Sequence, residues 1–88
     1  MPSDDLMRCR VCGLELREPP WGFDGTTPLY DYCPCCGVEF GYQDATPAGA
    51  RRFREAWVTS GAEWASPDER PAGWDLGAQL GHVPAPFR

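Results

Sequence analysis

Four cysteines stand in two identical spacings: Cys9 and Cys12, then 20 residues, then Cys33 and Cys36. Two residues between ligands let one tight turn present both sulfurs to one ion at about 2.3 Å, and two such turns complete the tetrahedron that zinc accepts. The device is repeated visibly, since CRVCGLEL at 9–16 and CPCCGVEF at 33–40 share the pattern Cys-x-x-Cys-Gly-apolar-Glu-apolar. Gly13 and Gly37 suit the left-handed turn that follows each pair, and Leu-Glu-Leu or Val-Glu-Phe then reads as a short strand leaving it. Type and spacing together point to a metal clamp, with Zn2+ as the favoured cation.

Cys35 is the odd sulfur. Pairing Cys33 with Cys36 preserves the repeat, whereas pairing Cys33 with Cys35 breaks it, so Cys35 matches Val11 as an interior position of its turn. A reactive thiol there is disfavoured, because four thiolates outweigh the charge of a divalent ion and the local field opposes another thiolate. Iron competes with zinc for the site. Rubredoxin-type electron carriers also hold one metal with two Cys-x-x-Cys-Gly turns, and Tyr30, Tyr32, Phe40 and Tyr42 offer similar aromatic packing. The Pro-Trp loop and a long helical half are features that electron transfer does not require. A dithiol oxidoreductase fits less well, since redox Cys-x-x-Cys pairs normally open a helix.

Other chemistry finds little support, and the expectation is a protein that is not an enzyme. His82 is the sole histidine and lies near the end of the sequence with no local Ser or Cys partner. Glu15 and Glu39 recur at the same point of the repeat but alternate away from their apolar neighbours, as solvated charges do. Gly22-Phe23-Asp24-Gly25 lacks the Lys-Ser/Thr and the following helix of a phosphate loop.

The elements that must position the cysteines divide at about residue 44. Residues 8–44 hold all five cysteines with many Gly, Pro and aromatic residues, and read as a metal-binding ribbon lobe with an irregular loop at 17–28. Residues 45–81 read as a helical wrap. Thr46 is a good N-cap and Pro47 suits the first helical turn; Ala50, Phe53, Ala56, Trp57 and Ser60 then fall on one side before Gly61 stops the helix. Ser66-Pro67-Asp68-Glu69 suits another turn, and Asp75 caps a short helix in which Leu76 and Leu80 share a face. Residues 82–88 read as a flexible tail. The expected fold is thus one small α+β metal-bound domain spanning 1–88: a zinc-ribbon (rubredoxin-like) lobe of short β-hairpins, with a C-terminal helix and a short second helix packed on it.

Composition narrows the setting. With 42% hydrophobic and 24% charged residues, the chain matches a small globular domain rather than a disordered acidic segment. Apolar runs fall far short of the roughly 20 residues of a membrane span, and MPSDDLMR lacks the basic-then-apolar order of a signal peptide. A cytoplasmic protein is expected, where close cysteine pairs hold metal more often than disulfides. The net charge is −5 and all eight basic residues are arginine, which argues against nucleic acid, because phosphate binders present a basic face. The function expected is a structural zinc-binding module with a protein partner. Trp21 and Phe23, after the stiff Pro19-Pro20, are the candidate partner surface together with Tyr42. A rubredoxin-like iron electron carrier and a zinc-ribbon nucleic-acid binder are the alternatives.

Longer segments carry a resemblance. LREPPW, YCPCCGVEFGYQD, the Arg-rich helix with Trp57, Gly61 and Trp64, and PAGWDLGAQL together resemble a family of small, cysteine-rich bacterial proteins with a CPCC core. The match runs from about Cys9 to Leu80. The chain departs from that pattern at Arg10-Val11, where proline is common, and at Gln43, where an acid is common. The resemblance implies a zinc-ribbon-like protein of the bacterial cytoplasm and brings no established activity.

Overall fold

Each Cys-x-x-Cys segment closes on itself through the same backbone hydrogen bonds. In this computed structural model, which describes residues 4–88, Cys9 N donates to Leu14 O at 2.9 Å and Gly13 N to Cys9 O at 3.0 Å. In the second segment Cys33 N donates to Val38 O and Gly37 N to Cys33 O, both at 2.9 Å. Gly13 and Gly37 take φ of 83° and 80°, a region that costs other L-residues about 1–2 kcal/mol. One bond further out, Leu16 N reaches Met7 O and Phe40 N reaches Asp31 O, each at 2.8 Å. The sequence repeat is therefore a structural repeat, bond for bond. Met1-Pro2-Ser3, which open the segment used in the signal-peptide argument, lie outside the described residues.

The expected β-hairpins do not form. Among the described residues each turn supports one antiparallel bridge, Arg8 with Glu15 and Tyr32 with Glu39, and there is no strand. The zinc-ribbon (rubredoxin-like) α+β fold is corrected to two cysteine turns packed by short helices. The ladders stop for local reasons: beyond the first, Asp4–Met7 winds into a 3-10 turn in which Asp5 O already accepts from Arg8 N at 3.2 Å. Around the second, Tyr30 at φ 56° and Gly41 at φ 102° bend the chain away.

The helical half follows its caps. Helix α1 spans Pro47–Thr59, with the Thr46 Oγ1 accepting from Gly49 N at 3.0 Å. Helix α2 spans Leu76–Leu80, with Asp75 Oδ1 accepting from Ala78 N at 3.2 Å. Single 3-10 turns occupy Asp4–Met7, Pro67–Glu69 and Ala85–Phe87. Ala50 and Trp57 of α1 are buried and Phe53 packs beside them, whereas Ala56 and Ser60, expected on the same face, are exposed. Trp64 meets Trp74 edge to face at 5.5 Å between ring centroids, and Trp57 lies 6.5 Å from Trp74. These rings join the cysteines, Val11, Val38 and Phe40 in one apolar cluster.

Residues 82–88 are not the loose tail expected of them. Val83 and Pro84 are buried and Phe87 packs against the core. Arg88 donates to Val83 O at 2.9 Å and Gly81 O at 3.0 Å. The apolar side chains of HVPAPFR anchor it despite its prolines.

Candidate metal centre

The two turns face one another so that the Sγ atoms of Cys9, Cys12, Cys33 and Cys36 all lie within 4.8 Å of one another, each residue buried. Cys9 and Cys36 are 3.8 Å apart and Cys12 and Cys33 3.7 Å, and both contacts run between turns. Both distances exceed a disulfide bond by far, and all five cysteines are free. A tetrahedron with zinc–sulfur bonds of about 2.3 Å has sulfur–sulfur edges of about 3.8 Å. The donor set therefore fits such an ion, and these four cysteines could hold a metal.

The electrostatics agree with a cation-binding set. The Cys33 thiol is pulled well below its usual range by hydrogen bonds from Cys12, Cys36 and Cys9. Cys12, donating to Cys33, is raised, and burial pushes Cys36 up. Four buried sulfurs this close oppose one another's ionisation, and a bound cation would offset that repulsion. Arg54 supplies outer positive charge. Burial lowers its pKa, with the nearby Cys9, Cys12 and Cys36 acting in the opposite direction.

Hydrogen bonds from the helical half hold each turn. Arg54 of α1 donates through Nε to Val11 O at 2.6 Å and through Nη2 to Arg10 O at 3.1 Å, and also reaches Phe87 O. On the second turn, Ala65 N donates to Cys35 O at 2.9 Å and Ser66 N to Pro34 O at 2.8 Å. Cys35 is fully buried but stands outside the group of four; hydrogen bonding from Cys12, with help from Gln79, lowers its pKa. Spacing did not reveal Arg54 or Gln79, whose contacts lie more than 30 residues away along the chain.

The three aromatic candidates part company. Trp21 is half-buried: its Nε1 donates to Asp44 Oδ2 at 2.8 Å, and its ring stacks at 4.1 Å on the Arg10 guanidinium, which Phe87 covers from 4.4 Å. The fully buried Asp44 also accepts from Gly41 N at 2.8 Å, so this trio closes the loop onto the second turn. Phe23 and Tyr42 stand in solvent at 72% and 69% exposure. His82 is also exposed. No described helix is long and apolar enough to cross a membrane.

No family model matches the chain, and no solved structure matches it. Two curated proteins of Bacillus subtilis strain 168 are similar. The uncharacterized protein YozI is 30% identical over 82 residues, covering 75% of this chain and 68% of that protein. The uncharacterized protein YoaQ is 32% identical over 78 residues, covering 72% and 66%. The match spans about two thirds of the length of either relative. At 30% identity over more than two thirds of each protein, the chain belongs to the same family as YozI.

Proposed function

We propose that the protein is a zinc-organised interaction module, in which Cys9, Cys12, Cys33 and Cys36 hold the ion for structural purposes and the surface serves a protein partner in a reducing cytoplasm. The observation that carries this reading is the closure of the donor set: four buried sulfurs, each turn tied down by the helical half. A closed tetrathiolate offers no open position to a substrate, which is the mark of structural zinc rather than catalytic zinc. When bound, the ion would neutralise the thiolates and lock the two turns together, so binding and folding are one process. Tyr30, Tyr32, Phe23 and Tyr42, all exposed, supply the aromatic surface in which interfaces are rich.

The test is metal analysis of protein produced without added metal, followed by chelation. One equivalent of zinc, colourless protein and loss of helical circular dichroism on chelation are expected. Stoichiometric iron with a visible charge-transfer band would instead support the electron-carrier reading, and an intact fold after complete metal removal would overturn the structural role.

A further inference from the structure

The outer arms of the two turns leave a groove of about 470 Å3 between them. Its apolar lining comes from both halves of the chain: Leu14 and Leu16 follow the first turn, Phe40 follows the second, and Trp64 belongs to the helical half. Leu29 and Tyr32 also line it while standing 44% and 62% exposed. Large apolar side chains held in solvent beside a concave apolar surface mark a place where another molecule is covered.

Charge selects the occupant. Glu15, Glu18, Asp31 and Glu69 line the same groove against one cation, Arg17. The whole chain carries −5, so its field draws cations inward and repels phosphates and anionic membranes.

We propose that this groove docks a cationic peptide segment of a partner protein. Lysine or arginine side chains meet the rim carboxylates, and one large aliphatic or aromatic side chain enters over Leu16, Phe40 and Trp64. The inference rests on the interaction-module reading and gives it a place and a partner chemistry. The groove is separate from Trp21, which is committed to Arg10 and Asp44.

A displayed library of random 12-residue peptides, selected against the zinc-loaded full chain, tests it. Enriched peptides should be cationic around an apolar anchor. Their affinity should fall at least about tenfold in Glu18→Lys with Asp31→Lys, and hold in Glu55→Lys, which reverses a charge on α1. Raising salt should weaken binding by a similar factor. Acidic winners, no enrichment, equal sensitivity to Glu55→Lys, loss through Tyr42→Ala alone, or self-association that fills the groove would each overturn the proposal. Zinc content and circular dichroism of the same samples separate the two levels: folded, zinc-loaded protein that fails to bind sinks only the docking inference, whereas folded, metal-free protein sinks the module reading.

Discussion

The side-chain amide of Gln79 donates to Cys35 Sγ at 3.3 Å and to Cys12 O at 3.2 Å, so one residue of α2 spans the odd sulfur and the first turn. Trp74 Nε1 donates to Gln79 Oε1 at 2.7 Å, which orients the amide with its nitrogen toward the sulfur. Cys35 is thereby shut beneath α2 rather than offered to solvent. Zinc-loaded protein should react slowly with Ellman's reagent at Cys35, and Gln79→Ala should raise the rate about tenfold. Losing two hydrogen bonds of about 1 kcal/mol each lowers the cost of lifting α2 by enough for that factor. Equal rates in the two proteins would show that Gln79 is not the latch.

Cysteine replacements should separate the ligands from the bystander. Cys12→Ser or Cys33→Ser removes one donor from a closed set of four, and each variant should lose zinc together with cooperative unfolding. Cys35→Ser should keep one equivalent of zinc with a near-native spectrum. Metal retained by Cys36→Ser but lost by Cys35→Ser would transfer the fourth ligand to Cys35.

How much of this was legible in the sequence depends on range. The repeat in CRVCGLEL and CPCCGVEF determines local hydrogen bonds, and those recur in both turns at closely similar lengths. Thr46 and Asp75 cap helices because a cap needs only the next three residues. Alternation in Leu-Glu-Leu suggested strands, but alternation reports which way side chains face and not whether a ladder continues past its first bridge. The first ladder stops where Asp4–Met7 forms a 3-10 turn. Arg54 with Val11, Trp21 with Asp44 and Gln79 with Cys35 join distant segments, and no spacing rule reports such pairs. HVPAPFR has no helical or strand period and so reads as a loose end, yet burial of Val83 and packing of Phe87 decide the outcome.

Arg54 should be a supporting residue of the metal group. Its guanidinium serves carbonyls of Arg10, Val11 and Phe87 at once, joining the first turn to the final segment. Arg54→Met keeps the aliphatic stem and should cost about 2 kcal/mol in urea unfolding at fixed zinc, the scale of hydrogen bonds to a charged group. Zinc affinity by chelator competition should fall about 10-fold or more, as with other outer-shell partners. Arg54→Lys should recover only part of both, since an ammonium cannot reproduce the planar fork. Full recovery by lysine would mean that charge alone matters there.

The two turn glycines should differ although their backbones match. A Cβ on Gly13 would sit 2.3 Å from Gln79 O and 3.0 Å from Val83 N, so alanine there must displace the backbone of α2 and the segment after it. On Gly37 the nearest atom is the Ala65 Cβ at 3.4 Å, close to ordinary contact. Both substitutions carry the left-handed penalty of about 1–2 kcal/mol. Only Gly13→Ala adds a steric collision with main chain, and overpacking of that kind costs about 1–3 kcal/mol more. In urea unfolding at fixed zinc, Gly37→Ala should therefore remain measurably folded when Gly13→Ala has lost most of its stability. Gly13→Ala should also speed Cys35 labelling, because the displaced segment carries Gln79, whereas Gly37→Ala should not. Equal losses of stability and equal labelling rates would show that α2 does not seat on the first turn.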